Sequence, residues 1–295
     1  MKKIKINVLT GVNPINYEYF HYFIKNIRKM SSDNVDLKIK VITGSSRIAR
    51  NLFCDKRQIS SIEDAGAHVI NGNHFPGLGE SLNHLLMNDP QDENEYTLIC
   101  DIDLAFVRKN WDIDVINVLR DYDVVGLPFE ESKMIFRGPG PDNAIRYQRN
   151  PSIVWMMFKN NLAWKTLDFT HSKDDETIIL PDEETIYNIP AGFHLAKDVG
   201  WRIPKFLFEN KLKSFSFDNI NVCSQSPRKF FVDIPDNIPW EDGTNKSGWP
   251  CDEGYLNDHI VIVHQKLSQR WKFKTSKVSK IFYDKVDEYI EGLCL

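Results

Sequence analysis

The sequence predicts an α/β protein: a doubly wound, mostly parallel central sheet flanked by helices. Two observations predict it. Short apolar runs alternate with segments of helical periodicity from Ile4 to Pro128, the order that builds βαβ units. One of those runs, Glu95 to Phe106, ends abruptly in Asp101-Ile102-Asp103 and then resumes as Leu104-Ala105-Phe106. An unbroken apolar run reads as a strand covered on both faces, and in open α/β sheets the end of such a strand is where ligands sit. Composition sets the bounds. The 295 residues, 42% hydrophobic and 26% charged, suffice for one large α/β domain or two modest ones.

Ile4 to Thr10 reads as the first strand, closed by Gly11 and Asn13-Pro14. From Asn16 to Met30, Tyr19, Phe20, Phe23, Ile24 and Ile27 recur at helical spacing. Lys25, Arg28 and Lys29 gather near the end of that helix, where its dipole favours cations. Leu37 to Thr43 is a second strand followed by Gly44-Ser45-Ser46, and Ala67 to Ile70 a third. A helix is expected from Glu80 to Met87, stopped by Asp89-Pro90, and the Asp-x-Asp strand follows. Further strands are expected at Asp123 to Pro128, Ser152 to Phe158 and Ile260 to Val263, the last ending in His264. Residues 130–150 and 227–254 read as Gly- and Pro-bearing loops. The acidic tract from Lys173 to Glu184 leads to an expected helix at Ala191 to Val199, closed by Gly200. Val278 to Ile290 has the period of a helix packed on the outside.

Several function classes are disfavoured. A net charge of −4 argues against nucleic-acid binding through a global positive field. The five cysteines are scattered, with no Cys-x-x-Cys, which fits a reducing compartment and neither a zinc site nor a disulfide framework. The start, Met1 to Asn7, is too polar for a signal peptide, and no apolar run reaches membrane-span length. A cytoplasmic protein without a membrane span is the expectation; oligomeric state is left open.

The chemistry-bearing feature is the carboxylate pair. Asp101 and Asp103, separated by one apolar residue, can both reach a hard divalent cation, which prefers oxygen ligands. Two solvated aspartates at a strand end are the plain alternative.

With these pieces in order, the chain resembles the A-type (GT-A) nucleotide-sugar glycosyltransferases, particularly family-2-like members. Four motifs carry the resemblance across Ile4 to Arg270: Gly79-Glu80-Ser81-Leu82-Asn83, Asp101-Ile102-Asp103, Val199-Gly200-Trp201-Arg202 and His264-Gln265-Lys266-Leu267-Ser268-Gln269-Arg270. The resemblance implies a nucleotide-sugar-binding half at 1–122, an acceptor-binding half of the same domain at 123–275, and a C-terminal helix at 276–295. It implies a metal-dependent transfer of a sugar from a nucleoside-diphosphate donor, a UDP-sugar first, to a glycan or other hydroxyl acceptor.

Under that resemblance Asp103 is the direct metal ligand, Asp101 binds the metal through water or the ribose hydroxyls, and His264 completes the set. Mn²⁺ is the first choice of ion and Mg²⁺ the second. Lys266, Ser268 and Arg270 are expected to hold the diphosphate, Asn83 to lie beside the nucleotide, and Thr10, Gly11, Asn13 and Thr43 to form the base and ribose pocket. Inversion is expected first and needs a base for the acceptor hydroxyl. Glu184 is the first candidate and Glu183 the second, with Asp174, Asp175 and Glu176 behind them, although the distance to Gly200 is longer than the family pattern. Trp155, Trp240 and Trp249 are candidates for stacking on an acceptor sugar. Two other readings stay open: a sugar-nucleotide or nucleotidyl transferase, and a non-catalytic carbohydrate-binding protein on a degenerate glycosyltransferase fold. The first of these would carry a basic Gly-rich loop after strand one, whereas Gly11 to Asn16 holds no Lys or Arg.

Overall fold

The computed structural model describes residues 3–14, 16–43, 53–71, 78–88, 95–128, 150–170, 178–180, 185–187, 199–200, 202–221, 251–265 and 275–293. The central sheet begins with β1 (Ile4–Val12), β2 (Val35–Thr43), β3 (His68–Asn71) and β4 (Tyr96–Cys100). These four lie side by side in parallel, with β1 between β2 and β4. After β4 the chain forms β5 (Leu104–Phe106), then β6 (Val124–Pro128) and β7 (Pro151–Lys159). A short hairpin, β8 (Ile178–Leu180) with β9 (Thr185–Tyr187), precedes β10 (Ser214–Ser216). The central sheet has seven strands in the order β10-β6-β7-β4-β1-β2-β3. Only β7 runs against the others, pairing antiparallel with both β4 and β6. The expectation of a mostly parallel α/β sheet is met.

Both faces of this sheet are covered, and its inner strands β4 and β7 read accordingly as near-continuous apolar runs. On one face α1 (Tyr17–Met30) lays Phe20, Phe23 and Ile27 over Ile6, Val8 and Leu98. On the other face α3 (Leu78–Asn88) lays Leu82, Leu85 and Leu86 over Leu9, Ile42 and Ile99, with Phe206 and Leu207 of α5 (Ile203–Glu209) in the same cluster. The carbonyls at the end of α1 are held by the Lys109 ammonium, which donates to Lys29 O and Ser31 O at 2.8 Å each.

A second sheet, wholly antiparallel, follows the order β11-β12-β13-β5, with β11 (Asp218–Asn221), β12 (Cys251–Leu256) and β13 (His259–Gln265). Two features differ from expectation. The 227–254 loop reading fails at its end, because Cys251 begins β12 and pairs with Gln265. Three α-helices were not anticipated, α2 (Lys56–Asp64), α4 (Trp111–Val118) and α5. The C-terminal helix α6 (Thr275–Leu293) packs on the outside: its stripe of Phe282, Tyr283, Val286 and Ile290 is buried with α1, while Lys280, Asp284, Asp287 and Glu288 face solvent. The expected helix at 191–198 and the loop at 130–149 lie outside the described residues. Among the described residues no helix is long and apolar enough to cross a membrane.

Candidate metal centre

The chain changes sheets at Asp101-Ile102-Asp103. Asp101 still belongs to the central sheet, since its N–H donates to Val154 O of β7 at 3.0 Å. Asp103 already belongs to the second, since its carbonyl accepts from Gln265 N of β13 at 2.8 Å. Ile102, buried to 1% exposure, is the apolar pin between them. The site therefore sits on a seam, and the reason is local: β4 must stop pairing with β1 where β5 begins pairing with β13. Neighbours brace both sides. The Thr10 hydroxyl donates to Cys100 O at 2.7 Å, and the Asn26 carboxamide exchanges two hydrogen bonds with the Phe106 backbone at 2.7 and 3.0 Å.

β13 brings His264 opposite Leu104, one residue from Asp103. The imidazole is buried, and its Nε2 lies 3.5 Å from Asp103 Oδ1. Asp101, half-buried, completes a group of three whose ligand atoms all lie within 4.8 Å of one another. Opposite ligands on a divalent ion with metal–oxygen bonds of roughly 2.0–2.6 Å stand about 4–5 Å apart. The three side chains fit one such divalent ion, offering two hard oxygens and one imidazole. Their negative charge reaches neighbouring groups. Burial pushes the Cys100 thiol well above its usual range, and Asp101 and Asp103 push it further. The phenol of Tyr283 is raised the same way, by burial first and Asp103 second.

A second polar cluster lies on the α3 face. The Asn83 carboxamide donates to Asp168 Oδ1 at 2.8 Å and accepts from Phe169 N at 2.9 Å. Arg202 Nη1 reaches Asp168 Oδ2 at 3.0 Å and Thr170 O at 3.0 Å. Burial raises the Asp168 pKa, but the Thr170 N–H, the Asn83 amide, the Thr170 hydroxyl and the Arg202 charge together hold it below the usual carboxylate range. Two of the sequence motifs, those of Asn83 and Arg202, thus converge on a residue the sequence did not single out. Gly200 carries φ +81°, the left-handed region that favours glycine, and its N–H donates to Phe169 O at 3.1 Å.

The remaining site expectations fall as follows. Thr10, Gly11, Asn13 and Thr43 gather at the C-terminal edge of the parallel strands, the same edge as Asp101. Thr10 and Thr43 are buried at 1% exposure, and the Thr10 hydroxyl proton is committed to Cys100. Asn13 exchanges backbone–side-chain bonds with Asn16 at 2.8 and 3.1 Å, a closed turn after β1. Trp155 is core: its fully buried ring packs 6.0 Å from Trp111 and 5.0 Å from Phe217, so it has no face to offer a sugar. Glu183, Glu184, Lys266, Ser268 and Arg270, with Asp174, Asp175, Glu176, Trp240 and Trp249, lie outside the described residues.

No family model matches the chain, and no curated protein matches it. Among solved structures, one similar fold is the mannosyltransferase PcManGT from Pyrobaculum calidifontis in complex with GDP-Man and Mn2+, at 13% identity and a TM-score of 0.39 over 57% of this chain. This chain spans about half of that protein's length, 48%. Another is 4-diphosphocytidyl-2C-methyl-D-erythritol synthase from Anaerococcus prevotii DSM 20548, at 13% identity and a TM-score of 0.37, covering 56% of this chain and 74% of the other.

Proposed function

We propose that the chain is a metal-dependent glycosyltransferase that moves a sugar from a nucleoside-diphosphate donor to a hydroxyl acceptor. One observation carries the reading: Asp101, Asp103 and His264 converge within 4.8 Å at the C-terminal end of a central parallel strand. Bound there, a divalent cation supplies Lewis-acid stabilisation of the charge that develops on the leaving diphosphate. Asp103 would hold the ion directly, and His264 would offer Nε2. Asp101 acts through water or on the ribose. Lys266, Ser268 and Arg270 follow β13 directly in sequence, and their cationic and hydroxyl groups are proposed to hold the diphosphate oxygens. The donor half is 1–122 and the acceptor half 123–275. In an inverting transfer Glu184, with Glu183 next, takes the acceptor hydroxyl's proton.

Thermal-shift measurements with UDP-, GDP-, dTDP- and CMP-sugars, each with and without Mn²⁺, test the reading and name the donor. One nucleotide family should stabilise the protein only when Mn²⁺ is present, by about 2.7 kcal/mol at a concentration of ~100 times Kd. Stabilisation that is indifferent to metal, or that survives Asp103→Ala unchanged, would overturn the assignment. Product analysis separates the other readings: release of a nucleoside diphosphate (or of CMP from a CMP-sugar) marks sugar transfer, release of pyrophosphate from a nucleoside triphosphate and a sugar phosphate marks a nucleotidyl transferase, and glycan binding without any of these products marks a carbohydrate-binding protein.

A further inference from the structure

The metal-site segment is held by a residue 180 positions away in sequence terms, on a helix that the site chemistry alone would not implicate. Tyr283 of α6 places its hydroxyl 3.1 Å from Ile102 O and 3.0 Å from Leu104 O, separations of 181 and 179 residues along the chain. A phenol carries a single proton, so the two carbonyls share one donor. The carbonyl between them, that of Asp103, accepts from Gln265 N at 2.8 Å. Three consecutive carbonyls, at 102, 103 and 104, are thereby fixed: the outer two by α6 and the middle one by β13. The Tyr283 ring cannot swing away, because it stacks on Tyr22 of α1 at 4.8 Å with planes 11° apart, and the residue is buried to 3% exposure.

We propose that Tyr283 is a positioning residue for the metal centre, one that sets the direction of the Asp103 carboxylate by clamping the peptide carbonyls on either side of it. This inference rests on the reading of Asp101, Asp103 and His264 as an ion site. The physical reason is that a carboxylate is aimed by its own backbone as much as by its rotamer. Ion ligands need their geometry fixed before the ion arrives, and groups that orient ligands without touching the ion typically govern affinity by about 10–100-fold. The residue also ties α6 to the site. If the helix holds the loop, then an ion that stiffens the loop must in turn stiffen the helix, since the coupling is reciprocal.

The test uses the full chain and Mn²⁺ alone. Titration of Mn²⁺ into the wild type and Tyr283→Phe, which keeps the ring and removes the hydroxyl, should show affinity weakened by about 10-fold in the variant. Tyr289→Phe, on the same helix but away from those carbonyls, should bind as the wild type does. Equal Mn²⁺ affinity in wild type and Tyr283→Phe would overturn the proposal while leaving the ion site standing. Failure of the wild type to bind Mn²⁺ would overturn the ion-site reading and this inference with it, and needs no variant to be seen. Should Tyr283→Phe not fold, hydrogen exchange of the wild type decides. Mn²⁺ should slow exchange both in residues 99–107 and in residues 280–287; protection confined to the first segment would overturn the coupling.

Discussion

Asp103 and Asp168 are both carboxylates beside the central sheet, and their surroundings give them opposite occupations. Asp168 is met by donors: the Asn83 amide, the Thr170 N–H and hydroxyl, and the Arg202 guanidinium. Its charge is spent on holding residues 168–170 against α3, and its pKa is held down accordingly. Asp103 lies among candidate ion ligands, with His264 Nε2 at 3.5 Å and Asp101 in the same group. A carboxylate surrounded by fixed donors is a strut, complete without an ion. Carboxylates and an imidazole that converge on one another gain most when a cation lies between them.

The sharpest way to break this contrast is Asp103→Ala. It should lower metal-dependent transfer by about 100-fold or more, at or beyond the upper range seen when only ligand-orienting groups are removed. Steady-state rates across a Mn²⁺ series check it, and a variant with normal turnover would place Asp103 with the struts. On the strut side, Gly79→Ala should be the costliest change. A Cβ there would stand 2.5 Å from Phe169 O and 2.7 Å from Thr170 Cα, backbone atoms with nowhere to retreat. Overpacking of this kind costs about 1–3 kcal/mol, a fall in Tm of roughly 2–5 °C for a chain of this size. Calorimetry should show that fall with Mn²⁺ affinity retained.

Asn83→Ala should act more mildly in the same direction. It removes two hydrogen bonds to the 168–170 segment, costing about 1–2 kcal/mol. Here urea denaturation reads the loss; a variant of full stability that fails to bind nucleotide would instead put Asn83 in the donor pocket. The smallest effect belongs to Asp168→Asn, and it depends on pH. Because the folded-state pKa of Asp168 is lowered, its contribution to stability is present above the unfolded value of about 3.9 and is lost as pH falls through the lower folded value. The wild type should therefore exceed the variant at neutral pH, with the gap closing as the solution is acidified below about pH 4. Half-exposure of the carboxylate keeps that gap small. Denaturation midpoints from pH 3 to 7 would show it, and a gap that stays constant would remove the ionic part of the strut.

The division between what the sequence disclosed and what it hid follows the range of the interactions. β1 to β4, α1 and α3 were legible because each is a local pattern, an apolar run or a helical stripe bounded by Gly, Pro or Asn. α2 buries a single residue, Ile62, so its stripe is faint; its one clear signal was the capping box of Asp55 and Gln58. α4 reads Trp-Asp-Ile-Asp-Val-Ile-Asn-Val, an alternation closer to a strand than to a helix, and it is buried around Trp111 and Val115 by tertiary packing. The second sheet was hidden because β5 finds its partner β13 more than 150 residues later. In the site, Asp101, Asp103 and His264 announced themselves by residue type at strand ends. Asp168 did not, since nothing around it in sequence shows that Asn83 and Arg202 will meet there. Tyr283 was hidden for the same reason: within its own helix it is one more aromatic on the buried stripe.

Electron paramagnetic resonance of Mn²⁺ titrated into the wild type and into Asp103→Ala measures the central claim most directly, because the free ion's signal falls as it binds. The wild type should take up Mn²⁺ to saturation at one site, and Asp103→Ala should leave the signal of the free ion nearly undiminished over the same range. Equal uptake by both proteins, or none by either, would contradict a cation held between Asp101, Asp103 and His264.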